Sequence, residues 1–169
     1  KTELLKYSNF GDLKGDIHHV IEGADVFIGV SKGHLIDKED VKKMAKDPII
    51  FAMANPTPEI DPDEAKSAGA SIVGTGRSDY PNQINNVLAF PGIFKGALAA
   101  RAKTISTEMK LAAAYAIANS LENPTADQVI PSALDTSLAQ TVADAVEKAV
   151  YRDAELERQI AQAEKEMGE

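Results

Sequence analysis

The sequence contains no cysteine and no tryptophan, and aromatic residues make up only 5% of its 169 residues. Without cysteine, a disulfide framework and thiolate metal sites are excluded, and the composition fits the reducing cytoplasm, where we expect the protein to act. The chain has no run of the roughly 18 apolar residues that a membrane span needs, and its start has no apolar block of the signal-peptide type. These absences predict a soluble protein with no membrane partner.

Positive charge is also scarce, since 18 Lys and Arg stand against 26 Asp and Glu and leave a net charge of −8. Such a balance repels phosphate backbones and disfavours general nucleic-acid binding, so an anionic ligand would need a local site. Hydrophobic residues make up 44% of the chain, which is enough for one core of ordinary domain size.

Apolar runs and helix-capping residues alternate in the first half of the chain. The runs Asp25–Val30, Pro48–Ala54 and Ala70–Gly76 predict three strands, the first of them buried on both faces. Between the strands, Asp37 and Asp61 are placed to cap two helices. This alternation predicts parallel pairing through right-handed crossovers, and hence a Rossmann-type open α/β sheet.

The second half of the chain is an Ala-rich helical region. We predict helices over residues 82–101 (broken by Pro91-Gly92), about 106–121 and about 132–167. In the last helix, apolar residues recur every seven positions, which suits either packing on the sheet or a surface for a partner. These residues are Val142, Ala149, Leu156 and Ala163.

Residues at the carboxyl ends of the predicted strands are candidates for function, because an open α/β sheet binds its ligands there. Gly29 and Gly33 would let a cofactor approach the main chain beside Ser31, or they form a plain strand-to-helix turn. Asn55 is held between a buried strand and Pro56. Its amide can bind a carboxylate or a nicotinamide ribose, or it can stabilise its own turn.

Other polar residues carry weaker signals. Asn85 and Asn86 lie in the first turns of the predicted helix, where free N–H groups favour a small carboxylate, although the pair can equally be buried or cap the helix. Arg77 and Asp79 are typical of a surface ion pair. The phosphate-binding pattern G-x-G-x-x-G and the first strand of a dinucleotide fold are missing, and the histidines have no metal-ligand spacing.

Four segments stand out together: Gly23–Ser31, Ile50–Pro56, Gly76–Asn86 and Phe90–Gly96. On these motifs the chain, from about residue 15 to 155, resembles the NAD(P)-binding domain of the bacterial-type small malic enzymes. The resemblance implies oxidative decarboxylation of (S)-malate to pyruvate and CO2, with reduction of NAD+ or NADP+ and help from Mg2+ or Mn2+. It also implies a homodimer and an amino-terminal substrate domain that is missing from this chain.

Matched position by position, the resemblance assigns Asn55 and Asn86 to malate, and Gly29, Val30, Ser31 and Asn55 to the cofactor. It places the catalytic acid, the base, the metal ligands and the Gly-rich loop outside this chain, so we expect the chain alone to be inactive. The choice between NAD and NADP is not predicted, because the strand that usually determines it is missing.

We expect residues 1–103 to form a partial NAD(P)-binding domain and residues 104–169 to form helices that pack on it. Two alternatives remain: another NAD-dependent dehydrogenase of related fold, and a non-catalytic fragment that acts through its helices.

Overall fold

The computed structural model describes residues 3–167, without the side chains at positions 153, 154, 156, 157, 160, 161 and 163–167 of the last helix. The chain forms two compact units, the first ending at Ile84 and the second beginning at Asn85. The boundary between these compact units is not the domain boundary predicted after residue 103. The predicted domain division stays a prediction.

The first unit contains a parallel sheet in the order β1-β2-β3, as the alternation of strands and helices predicts. Its register aligns Phe27 of β1 with Ile50 of β2, and Ile50 with Val73 of β3. In chain order, the elements of this unit are a 3-10 helix Leu4–Lys6, α1 (Ile17–Val20), β1 (Val26–Gly29), α2 (Lys38–Lys43), β2 (Ile49–Ala52), α3 (Pro62–Ser67) and β3 (Ile72–Thr75).

Both predicted helix caps are confirmed. The Asp37 side chain accepts hydrogen bonds from the main-chain N–H groups of Glu39 and Asp40 at 2.8 and 3.1 Å and starts α2. Asp61 accepts from the two N–H groups that follow Pro62 and starts α3. Proline suits the first helical position because the N–H that it lacks would have no partner within the helix. These caps fix where each crossover turns back towards the sheet.

The prediction that β1 is buried on both faces is wrong. Phe27 is 7% exposed and packs in the core, whereas Val26 and Ile28, on the opposite face, are 46% and 64% exposed. The helices of this unit pack on one side of the sheet, through a core that includes Ile21 of α1, Val41 of α2 and Ala65 of α3. An apolar run shows that a strand can be buried on both faces, but not that both faces are covered.

A buried carboxylate joins α1 to α2. Asp40 is 1% exposed, and it accepts hydrogen bonds from His18 Nδ1 at 2.6 Å, Lys43 Nζ at 3.2 Å and the Asp37 main-chain N–H at 3.1 Å. Burial alone would raise the pKa of Asp40. The three donors outweigh burial and hold the pKa below its usual value of 3.8.

We expect Asp40→Asn to lower the stability of the full-length protein by about 1–3 kcal/mol near neutral pH. Because the folded-state pKa is depressed, the carboxylate stabilises the fold above the unfolded-state value near 3.8. This contribution is lost as the pH falls through the folded-state value. Thermal unfolding over a pH series should therefore show a Tm difference from wild type that shrinks in acid.

The matched control for Asp40→Asn is Asp12→Asn, which removes an exposed carboxylate paired with Lys14 at 3.0 Å. An exposed ion pair contributes little, so its Tm should follow wild type at every pH. A Tm deficit in Asp40→Asn that stays constant down to the acid limit would contradict the assignment.

The second unit is helical, as predicted; the helix predicted over about 106–121 is present, whereas the other two predicted helices begin later than expected. The elements of this unit are a 3-10 helix Asn86–Leu88, α4 (Phe90–Ala99), α5 (Thr107–Ala118) and α6 (Leu138–Met167). The helix predicted from residue 82 begins only at Phe90, because residues 82–84 pair with the end of β3 instead. Pro91 lies in the first turn of α4, where proline is tolerated, and so the predicted break at Pro91-Gly92 is wrong. The last helix begins at 138 rather than 132.

Two glycines one turn apart let α6 lie close to α4. A Cβ added to Gly92 would lie 2.6 Å from Cγ1 of Val142, and one added to Gly96 would lie 2.9 Å from Cβ of Val146 and clash with the main-chain carbonyl of Ala143. Val142 and Ala149, the first two members of the seven-residue pattern, are buried together with Val146 in the core formed by the helices of this unit, and packing of the last helix on the sheet stays a prediction. Its later members, Leu156 and Ala163, lie outside the described side chains.

Candidate functional site

An open depression of about 280 Å³ lies where β2 and β3 end. From the end of β2 come Ala54, Asn55 and Pro56, and Asn55 is exposed and joined to Pro56 by a cis peptide bond. The other side is lined by Gly76, Arg77, Ser78, Asp79 and Gln83. The depression lies at the edge of the sheet where parallel α/β proteins bind ligands, as the sequence predicts.

The segment after β3 is fixed by main-chain pairing and by one buried amide. Thr75 N–H donates to the carbonyl of Asn82 at 3.0 Å, and Ile84 N–H donates to the carbonyl of Thr75 at 2.8 Å. The Asn82 side chain is 1% exposed and donates to the carbonyl of Val73 at 3.0 Å. Nothing in the spacing of Asn82 distinguishes it in the sequence from the exposed Asn85 and Asn86, so its burial is not predictable from the sequence.

Glu59 is a second residue that the sequence analysis missed. It is 0% exposed, and each of its carboxylate oxygens accepts one main-chain hydrogen bond: Oε1 from Ser31 at 2.9 Å and Oε2 from Ala54 at 3.0 Å. A buried carboxylate therefore joins the turn after β1 to the turn after β2. Buried glutamates are uncommon unless paired, which is why this residue type in a loop predicts an exposed side chain.

Two residues of the turn after β1 are exposed, which suits contact with a cofactor. Val30 is 76% exposed and Ser31 is exposed, whereas Gly29 is buried. A Cβ on Gly29 would lie 2.8 Å from Cγ of Glu59, and one on Gly33 would lie 2.7 Å from Cβ of Thr57. Both glycines are therefore required by neighbouring side chains, and the assignment of Gly29, Val30 and Ser31 to a cofactor stays a prediction.

Arg77 and Asp79 form the ion pair that the sequence predicts. Arg77 Nε donates to Asp79 Oδ1 at 2.9 Å, and the guanidinium lies 5.7 Å from the centre of the Tyr80 ring. The pair raises the pKa of Arg77 and lowers that of Asp79. Tyr80 donates to Asp61 at 3.4 Å, and partial burial raises its pKa. The positive charge beside the depression is thus already balanced by a carboxylate.

Asn85 and Asn86 belong to the second unit and do not open a long helix. Asn85 Oδ1 accepts from the main-chain N–H of Val87 at 3.1 Å and caps the 3-10 helix, while Asn86 is exposed. The helix-dipole argument for an anion there is wrong, because this helix is only three residues long. The assignment of Asn86 to malate rests on the resemblance alone and stays a prediction.

Among the residues that the structure describes, no group of three or more His, Asp or Glu could hold a metal ion. Over the same residues, no helix has the length and apolar character needed to cross a membrane.

A parallel sheet with helical crossovers and polar turns at its carboxyl edge places the chain among the Rossmann-like α/β proteins. The family described as "Malic enzyme, NAD binding domain" matches residues 5–154. The chain therefore belongs to the malic enzyme NAD-binding domain family. This membership favours a malic enzyme domain over another NAD-dependent dehydrogenase of related fold and over a non-catalytic helical fragment.

The relatives include enzymes named for each nicotinamide cofactor. The chain is 58% identical over 151 residues to the bifunctional malic/malolactic enzyme of Bacillus subtilis, covering 88% of this chain and 37% of that protein. It is 44% identical over 172 residues to the NADP-dependent malic enzyme of Escherichia coli, covering 92% and 23%. The crystal structure of the NAD-dependent malic enzyme from Thermotoga maritima superposes with a TM-score of 0.83 at 51% identity, covering 86% and 38%. The chain thus spans well under half the length of these relatives.

Proposed function

We propose that this chain is the NAD(P)-binding part of a longer malic enzyme that oxidatively decarboxylates (S)-malate to pyruvate and CO2. The observation that carries the proposal is the exposed amide of Asn55, which lines the depression at the carboxyl end of β2. Membership of the malic enzyme family supports the choice of substrate.

Asn55 suits a site where malate and the nicotinamide ring meet. Its amide is neutral, so it can donate a hydrogen bond to a malate carboxylate without adding charge, and it can contact the nicotinamide ribose. The end of β2 on one side and Pro56 on the other limit how far the main chain of Asn55 can move. The assignment of Asn86 to malate rests on the resemblance to the family alone.

The turn after β1 fits a dinucleotide. Val30 and Ser31 are exposed, and Glu59 holds the turn from the buried side through the Ser31 N–H. The bound dinucleotide supplies the hydride acceptor. The requirement for Mg2+ or Mn2+, the homodimer and the cytoplasmic location stay predictions.

The isolated chain should form no pyruvate from malate with either NAD+ or NADP+ in the presence of Mg2+. We expect activity when the chain replaces the matched region of the Bacillus subtilis enzyme, with which it shares 58% identity. Pyruvate formation is the measurement, and comparing NAD+ with NADP+ gives the cofactor preference. Turnover by the chain alone, or a folded chimera that binds dinucleotide but leaves malate unchanged, would overturn the proposal.

A further inference from the structure

We propose that Glu59 is a positioning residue that fixes the cofactor turn and the malate turn relative to each other. This inference rests on the proposed function, because it gives Glu59 its role through Ser31 and Asn55. The cofactor turn is defined as Gly29–Ser31, and the malate turn as Ala54–Pro56.

The two oxygens of one carboxylate connect the two turns. Glu59 Oε1 accepts from the Ser31 N–H at 2.9 Å, and Oε2 accepts from the Ala54 N–H at 3.0 Å. Ala54 immediately precedes Asn55, so its N–H lies one residue from the amide assigned to malate. The register of β1 and β2 ends at Gly29 and Ala52, and the Met53 N–H still donates to the Gly29 carbonyl at 3.0 Å. The Glu59 carboxylate adds a side-chain connection beyond that bond.

The main chain around Glu59 holds this carboxylate in place. The Glu59 carbonyl accepts hydrogen bonds from the N–H groups of Leu35 and Ile36 at 2.8 and 3.2 Å. Gly29 provides the space for the carboxyl group, since a Cβ there would lie 2.8 Å from Cγ of Glu59. The residue is fully buried, so water does not compete for its two main-chain bonds.

Replacing Glu59 by glutamine keeps the shape but changes the acceptor pattern. Glutamine has one carbonyl oxygen and one NH2 group, so only one main-chain N–H keeps its acceptor and the other faces a donor. The side chain at position 59 then no longer holds both turns at once. We expect kcat/KM for malate in the full-length enzyme to fall by about tenfold to a hundredfold, since small displacements of reacting groups have effects of this size.

Two measurements separate positioning from a merely structural role. Dinucleotide affinity, followed by the fluorescence of bound NAD(P)H, should fall together with malate use in Glu59→Gln. When Glu59→Gln is combined with Asn55→Ala and malate kinetics are measured at saturating dinucleotide, its effect on kcat/KM for malate should be smaller than in the presence of Asn55, because the malate-turn residue that it positions is gone. The effect on dinucleotide affinity should remain. Glu64→Gln, an exposed change of the same kind on α3, should match wild type in both measurements.

Gly29→Ala tests the role of the Glu59 carboxylate without removing its charge. The added methyl group would displace Glu59, so the same paired loss is expected, whereas Gly11→Ala, with nothing within 4 Å of its added Cβ, should leave the kinetics unchanged.

Each result has a defined meaning. The positioning role is overturned if the Glu59→Gln enzyme folds and has wild-type malate kinetics. It is also overturned if Glu59→Gln lowers kcat/KM for malate by the same factor with Asn55 present and with Asn55 replaced by alanine. If both Glu59→Gln and Gly29→Ala fail to fold, the role is structural and the inference is also overturned. Asn55→Ala alone tests the proposed function. If it impairs malate use while Glu59→Gln does not, only the inference about Glu59 fails.

Discussion

Asn55→Asp in the full-length enzyme is expected to lower kcat/KM for malate by about a hundredfold or more, and by more than Asn55→Ala does. The substitution keeps the size of the side chain but replaces a neutral donor with a negatively charged acceptor. The lost hydrogen bond to a charged group and the repulsion of a dianionic substrate act in the same direction, and together they raise the barrier by about 3 kcal/mol or more. Dinucleotide affinity should change less, because the ribose hydroxyls can still donate to a carboxylate.

The measurement is steady-state kinetics with malate as the varied substrate, together with thermal unfolding to exclude a loss of fold. Asn123→Asp introduces the same charge at an exposed loop residue and should retain wild-type kinetics. An Asn55→Asp enzyme as active as wild type would show that Asn55 only stabilises its own turn.

The sequence predicts those features of the fold that neighbouring residues determine. Asp37 and Asp61 cap their helices through N–H groups two and three residues away, so their role can be read from a short window of sequence. The three strands and their parallel pairing follow in the same way from short apolar runs separated by helices. Asn55 was found because the end of a strand is a local feature.

Contacts between distant segments were not predictable in this way. Glu59 is buried because it accepts hydrogen bonds from Ser31, which lies 28 residues earlier, and from Ala54. No short-range pattern identifies such a partner. The pair Pro91-Gly92 predicts a helix break from its local sequence, but the neighbour of Gly92 in the structure is Val142, fifty positions further along the chain. The exposed face of β1 was unpredictable for the same reason. Burial of a strand face depends on which other elements pack against it, and the apolar run does not specify those elements.

The contact between α4 and α6 leads to the second large effect, in which helix propensity and packing predict opposite signs. By propensity alone, Gly96→Ala should stabilise α4 by about 1 kcal/mol. In the structure, the new Cβ would clash with the carbonyl of Ala143 and lie 2.9 Å from Cβ of Val146, which is 0% exposed. A main-chain carbonyl cannot rotate away as a flexible side chain can, so α6 would have to shift. Overpacking of this kind costs about 1–3 kcal/mol or more, which outweighs the gain in propensity.

We therefore expect Gly96→Ala to lower the Tm of the full-length protein by several degrees, measured by circular dichroism and by differential scanning calorimetry. Ala99→Gly is the matched control, because Ala99 is exposed near the end of the same helix and its replacement reports the propensity effect in the reverse direction. The control should be mildly destabilised, by no more than about 1 kcal/mol. An increase in Tm for Gly96→Ala would mean that α6 does not approach α4 closely at this position. A decrease larger than that of Ala99→Gly would confirm that the missing side chain at Gly96 is what allows the two helices to pack.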